Sequence, residues 1–157
     1  MAQQIKADKD YTLFTSVLQV ADILFKIRER ELLPQNLSGT AAEILFLVDA
    51  MDEDVTPAKI TRMILREPHS TSGILKRMET HGLIKRTKNM ERKNMIRITL
   101  TAKGAKALKQ AMKLEGTTGV CARLSVGQQK QLKATLTALK EAGKRELHLS
   151  PKALLWP

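Results

Sequence analysis

Hydroxyl and cationic side chains cluster in one stretch of the chain, from His69 to Thr101. Its first part places hydroxyl residues and cations around apolar residues at helical spacing: Ser70, Thr71, Ser72, Ile74, Leu75, Lys76, Arg77 and Met78. Apolar and polar residues alternate from Ile96 to Leu100, which is typical of a half-buried strand. The loop before this strand, Thr87 to Asn94, is mostly cationic. Such a helix and hairpin are suited to DNA, with the helix in a groove and the hairpin along the backbone.

The distribution of charge points in the same direction. The formal net charge is +11, made up of −5 over residues 1–58, +9 over residues 59–103 and +7 over residues 104–157. A local cationic excess favours a polyanionic partner, although a solvated surface is the alternative. Aromatic residues make up 3% of the chain, and none lies between Phe46 and Trp156. Single-strand binders stack bases on aromatic rings, so duplex DNA is favoured over single-stranded RNA.

Other chemistry has little support in the residues. His69 and His81 have no cysteine or acidic partner at metal-ligand spacing, so no metal site is predicted. Cys121, the single cysteine, excludes an internal disulfide framework and is predicted to be a small buried residue rather than a redox sensor. No nucleophile is paired with a base and no Gly-rich phosphate loop is present, so the chain is predicted not to be an enzyme and to need no cofactor.

Four stretches before and within this region predict helices. A first helix with a wide apolar face is expected from Asp10 to about Leu32. The second begins near Ser38 or Thr40, either of which can cap it. Thr56-Pro57 is typical of the start of a third helix. The fourth contains the hydroxyl residues, with Ser70 as a candidate cap, and ends at His81-Gly82. Two short helices in this order predict a helix-turn-helix.

The C-terminal part is also predicted to be helical. Thr101 is expected to cap a fifth helix, which Gly116 to Gly119 would loosen or kink. Ser125 and Gln128 have capping-box spacing at the start of the last helix. That helix carries a narrow leucine stripe typical of a helix–helix seam: Leu132, Leu136, Leu139 and Leu147. The length fits one domain, and no run is apolar enough to span a membrane. The polar start, Met1 to Asp10, and the single cysteine favour the cytoplasm.

Four segments together resemble the MarR family of bacterial transcriptional regulators. These are Leu37-Ser38, Met78-Glu79 through Gly82-Leu83-Ile84-Lys85-Arg86, Leu100-Thr101-Ala102-Lys103-Gly104, and Leu124-Ser125 before a leucine-spaced helix. The resemblance covers roughly Asp10 to Leu147. It implies a mainly α fold with a small β-hairpin: a winged helix-turn-helix lobe over residues 38–101, and a helical dimerisation lobe formed by both termini, over residues 10–33 and 102–148 of a single domain.

The resemblance also implies the residues that contact DNA. In the recognition helix these positions fall on Ser70, Thr71, Ser72, Gly73, Lys76 and Arg77, and the wing falls on residues 87–94, with Lys88, Arg92, Lys93 and Asn94 as contacts. The wing departs from the family pattern. The family usually has an acidic residue, then Arg or Lys, then Arg, at a fixed distance before Leu-Thr, whereas this chain has Glu91-Arg92-Lys93-Asn94. An alignment by residue type makes Arg92 the wing-tip arginine. An alignment by distance from Leu100-Thr101 places Lys93 and Asn94 at the key positions.

The expected function is therefore that of a sequence-specific transcriptional regulator. The resemblance implies a ligand-responsive repressor that acts as a homodimer on a pseudo-palindromic operator in double-stranded DNA. It also implies a small-molecule effector, often phenolic, between the dimerisation and DNA-binding lobes. The alternative is an architectural or low-specificity duplex-binding protein without an effector.

Overall fold

A computed structural model describes residues 9–51, 55–88, 95–113 and 115–149. Within these ranges the chain is mainly helical with one two-stranded antiparallel sheet. Helix α1 spans Lys9–Leu32 and is followed by a short 3-10 turn, Leu33–Gln35. The next elements are α2 (Gly39–Ala50), α3 (Pro57–Met63), α4 (Pro68–Thr80), β1 (Ile84–Lys88), β2 (Ile96–Leu100), α5 (Ala102–Ala111), α6 (Glu115–Ala122) and α7 (Val126–Glu146). This architecture confirms the predicted fold class.

Side-chain caps fix where four of the helices begin. The hydroxyls of Ser38, Thr56 and Thr101 each accept a hydrogen bond from a backbone N–H in the first turn of α2, α3 and α5. Ser125 and Gln128 form the capping box at the start of α7. Helix α4 differs, because its N-cap is Glu67 without a side-chain bond, and Ser70 lies inside the helix. The prediction of a Ser70 cap was wrong.

Helix α2 is the centre of the core. Its side chains are buried around most of its circumference, including Ile44, Leu45 and Leu47. Around it pack buried side chains from α3, α4, both strands and α5: Ile60, Leu75, Met78, Ile84, Ile98 and Leu108. A helix that is buried around most of its circumference must be covered by several other elements, so these elements are arranged around α2.

The hairpin is held on both sides. Strand β1 pairs antiparallel with β2, with Ile84 opposite Leu100 and Lys88 opposite Ile96. On the other edge of β2, the N–H of Ile98 donates to the Val55 carbonyl over 2.8 Å. The predicted burial of β2 is confirmed at Ile98, whereas Ile96, in the pair farthest from the base of the hairpin, is exposed.

Both ends of the described chain expose apolar residues. Helix α1 buries only Leu32, and its exposed face carries Leu13, Phe14, Leu18 and Ile23. The predicted stripe on α7 is exposed as well. Gly116 to Gly119 lies within a separate helix, α6, rather than at a kink in α5. Glu31 on α1 accepts hydrogen bonds from the Gly116 N–H and the Thr117 hydroxyl, which docks α6 on α1. The bond from the Gly116 N–H is the main cause of a lowered pKa of Glu31.

Candidate nucleic-acid interface

Helix α4 turns a polar face away from the protein. Its buried side chains, Thr71, Leu75 and Met78, lie on one side. Polar residues cover the remaining surface, and these are exposed: His69, Ser70, Ser72, Lys76, Arg77 and Thr80. Gly73 lies among them and is partly exposed. The face therefore offers hydroxyls, two long cations and an imidazole, which can hydrogen-bond to phosphates and base edges.

Thr71 is the exception among the predicted contacts on this helix. Its side chain is 1% exposed, and its hydroxyl donates to the Glu67 carbonyl over 3.2 Å. The prediction that Thr71 faces DNA was wrong for this structure. Its place in the helix, one turn before Leu75, puts it on the core side, and the hydroxyl needs no outside partner because a backbone carbonyl of the same helix satisfies it.

The turn between α3 and α4 is fastened to the start of α2. Leu65 has a positive φ of 49°, which allows the tight turn. The guanidinium of the next residue, Arg66, donates to the Thr40 hydroxyl over 3.3 Å. Burial raises the pKa of Glu43 on α2, while the positive charges of Arg66 and Arg28 oppose this shift. The turn that leads into α4 is thus anchored to α2 by a hydrogen bond from a charged side chain.

An ion pair joins α4 to the hairpin. The Glu79 carboxylate accepts from the Arg86 side chain, with Oε2 2.6 Å from Nη2 and 2.7 Å from Nε. Its other oxygen accepts from the Arg86 backbone N–H over 3.2 Å. The hydrogen bond from the Arg86 side chain is the main cause of a lowered pKa of Glu79. This clasp fixes the recognition helix relative to β1.

A second set of bonds closes the base of the hairpin. The Thr101 hydroxyl donates to the Gly82 carbonyl over 2.6 Å while it accepts from the Gly104 N–H over 3.0 Å. The Lys103 ammonium donates to the His81 carbonyl over 2.8 Å. The end of α4, the end of β2 and the start of α5 are therefore joined at one point, from which the hairpin projects.

The hairpin carries cations that have no counter-ion among the described residues. Lys88, predicted as a contact, is exposed at the end of β1. Lys85 and Arg97 are exposed as well and were not predicted as contacts. The register places both on one face of the hairpin, which the alternation in the sequence could have indicated. The other predicted wing contacts, Arg92, Lys93 and Asn94, lie outside the described residues.

A cavity of about 390 Å³ lies behind the recognition helix. It is bounded by the end of α1, the 3-10 turn, the start of α2 and the C-terminal half of α4. Apolar side chains form much of its wall, and polar side chains from α1, from α4 and from the segments beside these helices also line it: Glu29, Leu33, Asn36, Leu37, Ser38, Ala41, Ile74, Arg77, Met78, His81 and Leu83. Arg77 belongs both to this wall and to the exposed face of α4.

The remaining candidates for chemistry do not assemble into a site. Among the described residues, no three of His, Cys, Asp and Glu come together as metal ligands. Cys121 is exposed, so the prediction of a buried cysteine was wrong; it borders a groove between α6 and α7 that also contains Leu132 and Leu136. None of the described helices is long and apolar enough to cross a membrane.

The fold and this face define a winged helix-turn-helix protein of the kind that regulates transcription. The sequence matches the model of the MarR family over residues 35–100, which contain the helix-turn-helix and the hairpin. Among curated proteins none matches the chain. Over this part the chain is similar to the MarR family of DNA-binding transcriptional regulators, and the structural matches that follow have the same fold.

Solved structures match nearly the whole chain. One is the organohalide-sensing transcriptional regulator RdhR in its 2,4-dichlorophenol-bound form, with 29% identity, 96% of this chain and 94% of that chain covered, and a TM-score of 0.83. The fold is also that of a Staphylococcus aureus MepR–DNA complex, with 21% identity, coverage of 87% and 99%, and a TM-score of 0.73. A Mycobacterium tuberculosis MarR-family protein in complex with salicylic acid has 23% identity, coverage of 87% and 99%, and a TM-score of 0.65.

Proposed function

We propose that this protein is a ligand-responsive repressor that binds a pseudo-palindromic operator as a homodimer. The observation that carries the proposal is the exposed face of α4, where Ser72, Lys76 and Arg77 project away from the core. The clasp between Glu79 and Arg86 holds this helix beside a cationic hairpin. The helix enters the major groove, and the hairpin lies against phosphates or in the minor groove.

The homodimer is proposed from the apolar surface of the terminal helices. Leu18 on α1 and Leu136 on α7 are 49% and 48% exposed, and each lies within a row of other exposed apolar residues. A second copy would cover these rows. A two-fold dimer places its recognition helices about one turn of DNA apart, roughly 34–36 Å, so the operator repeats its half-site with inverted symmetry.

The effector is proposed to bind in the cavity behind α4. Apolar walls with Arg77 and His81 at the edge suit a small aromatic molecule that carries an acidic group. Relatives bound to 2,4-dichlorophenol and to salicylic acid support this class. Because Arg77 also belongs to the face proposed to meet DNA, an effector that holds its guanidinium would weaken operator binding, which is the behaviour of an inducible repressor.

The test is a footprint on DNA upstream of the protein's own gene, with and without 2,4-dichlorophenol and salicylate. We expect a protected inverted repeat that is released by at least one compound. Transcription of the gene in vitro should fall when the protein is added and recover with the releasing compound. Protection without sequence preference would instead identify an architectural protein. Sequence-specific protection that neither compound changes would remove the proposed effector class and leave the operator binding intact.

A further inference from the structure

Glycine at position 73 is unexpected in the recognition helix. Gly73 is the sixth of the 13 residues of α4, well inside the helix. Glycine in a helix interior destabilises the fold relative to alanine, because its backbone loses more freedom on folding. Its φ lies outside the left-handed region, where among the described glycines only Gly82 is found. The backbone conformation at this position is one that alanine adopts readily.

Packing within the protein gives no reason for the glycine either. A Cβ placed on Gly73 would meet only the Nη1 atom of Arg77, at 3.9 Å, which is ordinary van der Waals contact. Other glycines of the chain differ. A Cβ on Gly104 would lie 1.9 Å from the Leu83 carbonyl oxygen, and one on Gly39 would lie 3.0 Å from the Phe25 ring. Glycine at those two positions allows close packing inside the protein, whereas close packing does not require a glycine at position 73.

The missing side chain would have pointed away from the protein. At 100° per residue, the buried positions Thr71, Leu75 and Met78 define the core side of α4. Gly73 lies on the opposite side, on a row with His69 and Lys76, both of which are exposed. The position of the absent Cβ therefore lies at the centre of the face proposed to enter the major groove, opposite the buried side of α4.

We infer that Gly73 is a specificity-determining residue that admits the C5-methyl group of a thymine. This inference rests on the proposed function, and it assigns one base pair of each half-site. Within the described chain only the Nη1 atom of Arg77 lies at contact distance from the Cβ position of Gly73, so a group of the bound DNA can approach the backbone there. On the edges of the bases in the major groove, the thymine methyl is the small apolar group. The Cα–H₂ of glycine offers no strong donor or acceptor, so the position favours an apolar contact over a polar one.

The experiment uses two methyl groups that would compete for the same space, the side chain of an alanine at position 73 and the C5-methyl of thymine. A duplex operator is first selected from a randomised pool by the full-length protein. Gly73→Ala adds a methyl to the helix, and replacing thymine by deoxyuridine removes one from the DNA. We expect Gly73→Ala to raise the Tm by about 2–4 °C and to bind the thymine operator roughly ten-fold more weakly. Binding to random duplex DNA should not change.

Deoxyuridine is then placed at each thymine in turn. At one thymine per half-site, we expect the replacement to cost the wild-type protein about four-fold in affinity, the value of one methyl contact. The same replacement should restore most of the affinity of Gly73→Ala. Gly127→Ala is the matched control, because a Cβ there meets nothing within 4 Å and the residue lies at the start of α7. It should leave the binding of every duplex unchanged.

Three outcomes would overturn the inference. One is equal operator affinity of Gly73→Ala and the wild type. The second is a lower Tm for Gly73→Ala, which would mean that the fold itself needs the glycine. The third is weakened binding that no deoxyuridine position restores. Failure of the selection to enrich any sequence would instead contradict the proposed function, so the two failures can be told apart.

Discussion

At the scale of single residues, the tightest requirement in the lobe is at Gly104. A methyl group there would overlap the Leu83 carbonyl oxygen, which also accepts a hydrogen bond from the Thr101 N–H. We expect Gly104→Ala to lower the free energy of unfolding by ~1–3 kcal/mol or more, because the added methyl group would displace backbone atoms rather than a flexible side chain. Urea denaturation measures the change.

Gly119→Ala is the control for this prediction, since a Cβ at Gly119 meets nothing within 4 Å. It should keep or raise the stability of the wild type. If Gly104→Ala unfolds at the same urea concentration as the wild type, the close approach of α5 to the segment between α4 and β1 is not a constraint on this fold.

The sequence predicted residues well where a local rule applies. Ser38, Thr56 and Thr101 cap helices as expected, because a cap depends on the few residues that follow it. The predictions from sequence were wrong where the burial of a residue depends on which side of its helix faces the core. Thr71 was predicted to face DNA and is buried. Cys121 was predicted to be buried and is exposed, because its helix packs on α1 through other residues.

At the scale of elements, the clasp between Glu79 and Arg86 sets the relation of helix to hairpin. We expect Glu79→Gln to be less stable than the wild type at pH 7, because the charged carboxylate and its two-point bond are lost. The lowered pKa of Glu79 fixes the sign of the pH dependence. A group with a lowered pKa stabilises the fold above its unfolded-state pKa, and that stability is lost as the pH falls through the folded-state value.

The difference in urea midpoint between wild type and Glu79→Gln should therefore be full near pH 7 and shrink below about pH 4. A double-mutant cycle with Arg86→Gln separates the pair from its surroundings. The double variant should be hardly less stable than either single variant. A constant difference across the whole pH range, or simple additivity of the two changes, would show that the ion pair does not stabilise the lobe.

Mutations in the hairpin and in the recognition helix should affect DNA binding in different ways. Arg92→Ala, at the predicted wing tip, is expected to weaken binding to operator and random DNA together. It should also reduce the slope of log K against log salt by roughly one unit per lost phosphate contact per subunit. Arg77→Ala on α4 is expected to cost operator binding ~1–3 kcal/mol more than random-DNA binding. Salt titrations of both variants on both DNAs measure this.

An unchanged slope and unchanged random-DNA affinity for Arg92→Ala would make the wing assignment wrong, and Lys93 would be the next residue to change. The sequence alone leaves this choice open, because matching by residue type and matching by distance differ by one position. The strands themselves were predictable from their alternation, whereas the register that pairs Ile84 with Leu100 was not. The contact of Val55 with β2 had no signal in the sequence.

At the scale of the whole molecule, a monomer leaves two rows of apolar side chains in water. On α1 they include Phe14, Leu18 and Phe25, and on α7 they include Leu132 and Leu136. Exposed apolar surface of this extent marks an interaction site in a folded protein. The wide face of α1 and the narrow stripe of α7 were visible in the sequence as periodicity. Their solvent exposure in one chain was not, because it depends on which faces the DNA-binding lobe leaves uncovered.

We therefore expect sedimentation equilibrium to give twice the chain mass of 17.6 kDa. Leu18→Asp with Leu136→Asp should dissociate or aggregate the protein, because two buried carboxylates per chain would face an apolar partner without counter-ions. Val126→Asp is the control, since Val126 is 84% exposed at the start of α7 and lies off the leucine stripe. It should remain dimeric.

Removing all residues after Leu124 should likewise leave an aggregating or unfolded product. A soluble, folded monomer from that truncation, or an undisturbed dimer from the double aspartate variant, would mean that these rows do not form the dimer interface. The symmetry argument for a palindromic operator would then lose its basis.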